Sequence, residues 1–322
     1  MNVPMGSGHG AAPAPRGAAQ VGASASGLKP QAVPTGTGPV GVAYDPAKKE
    51  IFITNSESNN TSVISDTTDK VVATVAVGAY PDAAAYDPVR KEMFVINDAS
   101  NSTSIISDRT NKVVATVAVG YEPDAVAYDA ARSEMFVANF YSGNVSVISD
   151  VTDKVVATVT VGAYPDGVAY DPVKREIFVA NLGWNDVSVI SDTTNKVVAT
   201  VAVGAYPDGV AYDPVKKEMF VTNFYSNDVS VISDATDTVV ATVAVGSGPV
   251  EAAYDVTMGE MFVTNSGSNN TTVISDATNT VVATITVGNY PLGVAYDAAT
   301  AEVFVTNYYS NDVNVISGSS RV

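Results

Sequence analysis

The chain has 322 residues, 46% of them hydrophobic, with no cysteine, one histidine (His9) and a formal net charge of -17. That composition excludes disulfides, thiolate metal sites and cysteine nucleophiles, and it leaves only His9 for a Ser-His-Asp triad, a His-ligated zinc or copper, or an axial haem ligand. The negative balance repels phosphate backbones, which excludes nucleic acid as a partner, and no apolar run approaches the ~18 residues of a membrane helix.

In chain order, residues 1–28 read as a disordered Gly/Ala/Pro-rich leader. Positions 1–27 hold six Gly, seven Ala and three Pro, with no basic start followed by an apolar stretch, so they are not a signal peptide. Next comes "KPQAVPTG" at 29–36, which lies one period before "VVATVAVG" at 71–78, placing Val33 in register with Val75 and Gly36 with Gly78. The period is set by Tyr-Asp pairs at Tyr44, Tyr86, Tyr128, Tyr170, Tyr212, Tyr254 and Tyr296, each 42 residues from the next. Within each copy four β-prone runs alternate with turn signals: "GVAY", "EMFVTN", "DVSVIS" and "VVATVAV" in the copy that begins at Gly209. Four strands in roughly 40–45 residues, repeated seven times, predict an all-β, seven-bladed β-propeller of four-stranded antiparallel blades. Slim residues (Gly, Val, Ala) on the first strand suit convergence on the axis, and Met, Phe and Ile on later strands suit the widening gap between blades.

The seventh copy ends at Val322 after "VNVIS", lacking its fourth strand. "KPQAVPTG" is expected to supply it as the outermost strand of the last blade, closing the ring; Pro30 and Pro34 are tolerated only on such an edge. The competing expectation is a chain truncated within that blade. Residues 29–322 are thus read as one propeller domain.

The second strand of each copy ends in a short motif: "FVTN" at 220–223, 262–265 and 304–307, "FITN" at 52–55, "FVIN" at 94–97, "FVAN" at 136–139 and 178–181. With the downstream "VSVISD…KVVATVAVG…P", the repeat resembles the YVTN β-propeller repeat of archaeal and bacterial surface-layer-type proteins, with Phe for Tyr. The resemblance covers residues 36–322. It implies the propeller fold and an extracellular, cell-surface or cell-envelope setting; the sequence itself shows no export signal, so a cytoplasmic location stays open.

Repetition separates scaffold from site. Asn55, Asn97, Asn139, Asn181, Asn223, Asn265 and Asn307 close the second strand in all copies and read as scaffold, as do the Tyr-Asp pairs. Second-to-third loops and interblade connections should share one rim, and every Lys and Arg from Lys48 onward falls on the other. The first rim carries Glu57, Asp82, Asp98, Glu122, Asp124, Asp166, Asp186, Asp208, Asp228, Glu251 and Asp312. At the start of the innermost strand the copies read Val40, Asp82, Asp124, Asp166, Asp208, Val250 and Leu292: an acidic arc and an apolar arc. Tyr80, Tyr164, Tyr206 and Tyr290, with Tyr141, Trp184, Tyr225 and Tyr309 in neighbouring loops, add amphipathic rings.

Such a mouth would hold a cationic small molecule, a glycan or a basic protein segment. Asp after Pro is also ordinary turn chemistry, and carboxylates ~10 Å apart would repel by only about 0.4 kcal/mol in water. The expected function is a non-enzymatic binding or surface-architecture module without a required cofactor. The alternative is a divalent-metal-dependent hydrolase or lyase, with a cation such as calcium held by Asp124, Asp166, Asp208 and Glu251. A third expectation is a mechanical spacer. N-x-S/T sequons start at Asn59, Asn60, Asn101, Asn144, Asn269 and Asn270, a pattern that Asn/Ser/Thr-rich loops also generate by chance.

Overall fold

Each 42-residue copy is cut into four short strands because its β-branched and aromatic runs are interrupted by turns ending in a left-handed residue. In the first copy these residues are Lys49, Asn59, Asp69 and Tyr80, with φ of 59°, 54°, 51° and 53°. The computed structural model describes residues 30–317. Over them the chain forms seven four-stranded antiparallel sheets, with no helix, arranged as the blades of a β-propeller. Blades 1 to 6 span 39–76, 81–118, 123–160, 165–202, 207–244 and 249–286. Blade 7 takes three strands from 291–317. Its fourth strand is Gln31–Pro34, which pairs antiparallel with Asp312–Ser317 and sets Val33 opposite Val313. Val75 stands opposite Thr61 in blade 1, so the closing strand keeps the register of its 42-residue counterpart. The leader assigned to residues 1–28 lies outside the described residues.

The core lies between blades. The phenylalanines of the second-strand motif are fully buried, and each packs on the following blade: Phe178 of blade 4 shares a cluster with Val210, Met219 and Ile232 of blade 5. A buried position of this kind has no use for a hydroxyl, which accounts for Phe where the related motif has Tyr.

The Thr of the motif ties blades together. The Thr222 hydroxyl donates to the carbonyl of Val250 in blade 6 (2.6 Å) and accepts the N–H of Gly209 in its own blade (2.8 Å). Thr54, Thr264 and Thr306 make the same donation to Asp82, Leu292 and Val40. Blades 2, 3 and 4 have Ile96, Ala138 and Ala180 instead. Thr222→Val keeps the shape but leaves a buried N–H and C=O unpaired, which should cost about 2 kcal/mol. Urea unfolding is expected to show a lower midpoint for Thr222→Val and near recovery for Thr222→Ser.

The rim away from the proposed site is a belt of interblade clamps. The Asp129 carboxylate accepts the N–H groups of Ala131 and Arg132 (2.8 and 3.2 Å), fixing the turn, and the Tyr128 hydroxyl donates to Asp150 (3.2 Å). Bases there reach across seams: Arg90 of blade 2 pairs with Asp153 of blade 3 (2.9 Å), and Lys174 of blade 4 with Asp237 of blade 5 (2.8 Å).

Candidate functional site

The opposite rim is built from two kinds of polar cap that hold six of the seven interblade connections. The Tyr80 N–H donates to Asn59 of the blade before it (2.9 Å), and the Ala79 N–H donates to Ser100 of the blade after it (2.6 Å). The Asn cap recurs at Asn101, Asn185, Asn227, Asn269 and Asn311. These Asn residues are left-handed, a conformation that Asn tolerates better than most side chains. Three of the sequon asparagines, Asn59, Asn101 and Asn269, therefore have a structural duty. So do the strand-closing asparagines: the Asn181 amide donates to Asp186 (2.7 Å) and Ser188 (2.9 Å) while its oxygen accepts the Gly162 N–H (3.0 Å).

Four tyrosines stand on this rim just before the inner strands. Tyr80, Tyr164, Tyr206 and Tyr290 all adopt left-handed backbone, φ 53–60°, where the equivalent residues Gly38 and Gly248 need no compensation. Left-handed backbone costs a non-glycine residue roughly 1 kcal/mol, and ring packing offsets it at three of the four. Tyr164 stacks on Phe140 (5.0 Å) and meets Tyr141 edge-on (5.9 Å); Tyr206 packs on Tyr225 (4.2 Å); Tyr290 packs on Tyr309 (5.0 Å). Tyr80 and Trp184 are exposed.

Inside this aromatic circle the inner strands begin, and their first side chains meet at the mouth of the central channel. Asp124 stands between Asp82 and Asp166 in blade order, and its charge acts on both. Burial, then the charge of Asp124, pushes the carboxyls of Asp82 and Asp166 well above the ordinary range; burial, then Glu251 and Asp124, does so for Asp208. Asp208 is only 5% exposed. Asp82 and Asp166 are only partly buried by surface area, yet desolvation is the largest cause of the rise for both.

Three further acids join the cluster. Glu251 is pushed up to about 7, mainly by burial. Asp98, 5% exposed, is also pushed up to about 7 by burial and by Asp124 and Glu122, and one of its buried oxygens has no hydrogen-bond partner among the described residues. Burial and Asp124 raise Glu122. Asp98 and Glu122 belonged to the acidic rim by sequence but not to the expected site. The signal for Asp98 lay in the residue after the strand-closing Asn, which reads Ser56, Asp98, Phe140, Leu182, Phe224, Ser266 and Tyr308 around the ring, with an acid in blade 2 alone. Across from the acids, Val40, Val250 and Leu292 form the apolar arc, the last two buried. Among the described residues no three carboxylates converge in an arrangement that would hold a metal ion.

No family model matches the chain, and no curated protein matches its sequence. Among solved structures it is similar to Kuenenia stuttgartiensis hydrazine synthase, with a TM-score of 0.80 over 88% of this chain and 96% of that one, at 19% identity. At that identity the likeness speaks for the fold alone. A seven-bladed propeller is consistent with a binding or scaffold module, and no helix of the described residues is long and apolar enough to cross a membrane.

Proposed function

We propose that the chain is a non-enzymatic binding module that takes an organic cation at the channel mouth. The observation that supports this most is the run of acids in four successive blades, Asp82 to Asp208, three of which, Asp82, Asp166 and Asp208, burial and neighbouring acids push well above the ordinary carboxyl range. A carboxylate withdrawn from water is costly unless a cation or a proton accompanies it. Here the described rim supplies no base, so protons do that work until a ligand arrives. An ammonium group offers three donors to the Asp82–Asp124–Asp166 set, and Val40, Val250 and Leu292 suit the alkyl part of such a ligand. The unpartnered oxygen of Asp98, which feels the charge of Asp124, is a further acceptor for such a ligand.

The F-V-T-N motifs on a propeller support grouping the chain with YVTN-repeat surface proteins, and with them an extracellular or cell-surface setting. The metal-dependent hydrolase or lyase has no specific observation in its favour.

A cation that takes the place of protons on these acids must release them. At pH 7, calorimetric titration with a short alkyl diamine in two buffers of different ionisation heat should show release of about one proton per ligand bound, since Asp98 and Glu251 titrate near 7. Asp124→Asn with Asp166→Asn should weaken binding at least tenfold. Equal heats in both buffers, or affinity indifferent to the two substitutions, would count against the mouth.

A further inference from the structure

One interblade connection is held unlike the others. In six blades a rim serine accepts the N–H of the incoming connection: Ser58, Ser100, Ser142, Ser226, Ser268 and Ser310, at 2.6–2.8 Å. Blade 4 has Trp184 at that place. An indole has no acceptor to offer, and the ring is 63% exposed. The connection from blade 3 to blade 4 also lacks the second cap, because Gly143 stands where the other blades have a capping Asn. Backbone bonds remain, from Leu182 N–H to the Tyr164 carbonyl and from Gly183 N–H to that of Ala163, both 3.0 Å. In place of the lost polar caps, Tyr164 stacks on Phe140, and Gly183 clears its seat: a Cβ at 183 would stand 2.7 Å from the Tyr164 ring. Trp184 thus joins Tyr164 and Tyr141 in an exposed aromatic surface on the rim of the two blades that contribute Asp124 and Asp166.

We propose that this surface is a docking platform for an extended, arginine-bearing segment of a partner protein. Two features of the rim select that occupant. Its described charges are all negative, with Glu122 and Asp124 in blade 3 and Asp166 and Asp186 in blade 4, so an anionic or neutral segment gains nothing from the field. Exposed Trp and Tyr faces attract cations, guanidinium more readily than ammonium because it is planar and weakly hydrated. A side chain stacked on Trp184 and Tyr164 leaves its neighbours along the peptide free to reach the mouth acids. The proposal rests on the cation reading of the mouth for the sign of the ligand, and the test separates the two.

Trp184 is the only tryptophan, so intrinsic emission reports this platform alone. Hexa-arginine at low salt should change that emission saturably, hexa-lysine more weakly and hexa-glutamine not at all. By anisotropy of labelled hexa-arginine, Trp184→Ser should bind about tenfold more weakly and Trp184→Phe close to wild type. Trp184→Ser restores the residue of the other blades, so its melting midpoint should be no lower than wild type, and lost binding would not reflect lost fold. Unchanged emission, equal affinity of Trp184→Ser, or a saturable response to a neutral oligosaccharide in place of hexa-arginine would overturn the platform. If the diamine fails at the mouth while hexa-arginine still perturbs Trp184, the mouth reading falls and the platform stands; the converse result does the opposite.

Discussion

A chain begun at residue 36 should be markedly less stable than one begun at residue 29, with a much lower urea midpoint and a tendency to associate. The lost strand, Gln31–Pro34, is the outer strand of blade 7, and its Val33, 4% exposed, fills the seam between blades 7 and 1 beside Ile51, Ile53, Phe304 and Val313. Burial of one valine is worth about 2 kcal/mol, and the pairing of four residues adds to it, so roughly 3–5 kcal/mol should be lost. Deletion also turns Asp312–Ser317 into an unpaired edge of bare backbone donors and acceptors, the usual template for strand addition by another molecule. The check is equilibrium unfolding with size-exclusion chromatography. Val33→Asp in the full chain should reproduce most of the loss, because it places an unpartnered charge in the same seam. A midpoint unchanged by the shorter start would mean that the ring does not depend on this closure.

That strand could be read from sequence because the 42-residue period carries register with it: Val33 lies one period before Val75, and its pairing in blade 7 decides against the competing expectation of a truncated blade. The same arithmetic identified the strand-closing asparagines and the acidic arc. What it missed depends on contacts between blades, which a period within one chain does not display. Thr222 looks like any β-prone residue until its hydroxyl is seen on the Val250 carbonyl. Trp184 looks like one more aromatic residue until six serines at its position are seen to accept a hydrogen bond. The period also does not display how far burial withdraws the side chains of Asp82, Asp166 and Asp208 from water.

The two rims use charge in opposite ways, and the contrast says where the fold gives up stability. One rim pairs its acids with bases across seams, as in Arg90–Asp153 and Lys174–Asp237. The other sets acids against acids. Three seams on the acid side also lack the threonine tie: Ile96, Ala138 and Ala180 precede the inner strands of Asp124, Asp166 and Asp208, whereas Thr54 still ties Asp82. Ties and charge balance are thus reduced over most of this arc, and the caps at the one connection between blades 3 and 4, the pattern expected where local stability yields to a binding role.

Stability should therefore fall as pH rises, against the habit of most proteins, and Asp124→Asn should remove much of that fall. In the unfolded chain carboxyls ionise near pH 4, whereas in the folded chain Asp98 and Glu251 hold their protons to about 7, and Asp82, Asp166 and Asp208 are raised well above the ordinary range. Between those limits the folded state binds more protons than the unfolded state, so the contribution is complete below about pH 4 and disappears as pH passes through 7. A tenfold difference in proton affinity between the two states is worth about 1.4 kcal/mol, so Asp98 would account for on the order of 4 kcal/mol and Glu251 for on the order of 3, and less with water in the channel. A melting midpoint roughly 5–10 °C higher at pH 5 than at pH 8 is the expected result. Asp124 is a repulsive neighbour of all five of these groups and of Glu122. Asp124→Asn keeps the shape and removes that charge, so the variant should melt higher than wild type at pH 8, change little at pH 5, and bind the diamine poorly. Gain of stability and loss of binding in one variant is the outcome that a merely structural Asp would not produce. A variant less stable at pH 8, or one that binds as well as wild type, would show that the charge at Asp124 serves the fold and not a ligand.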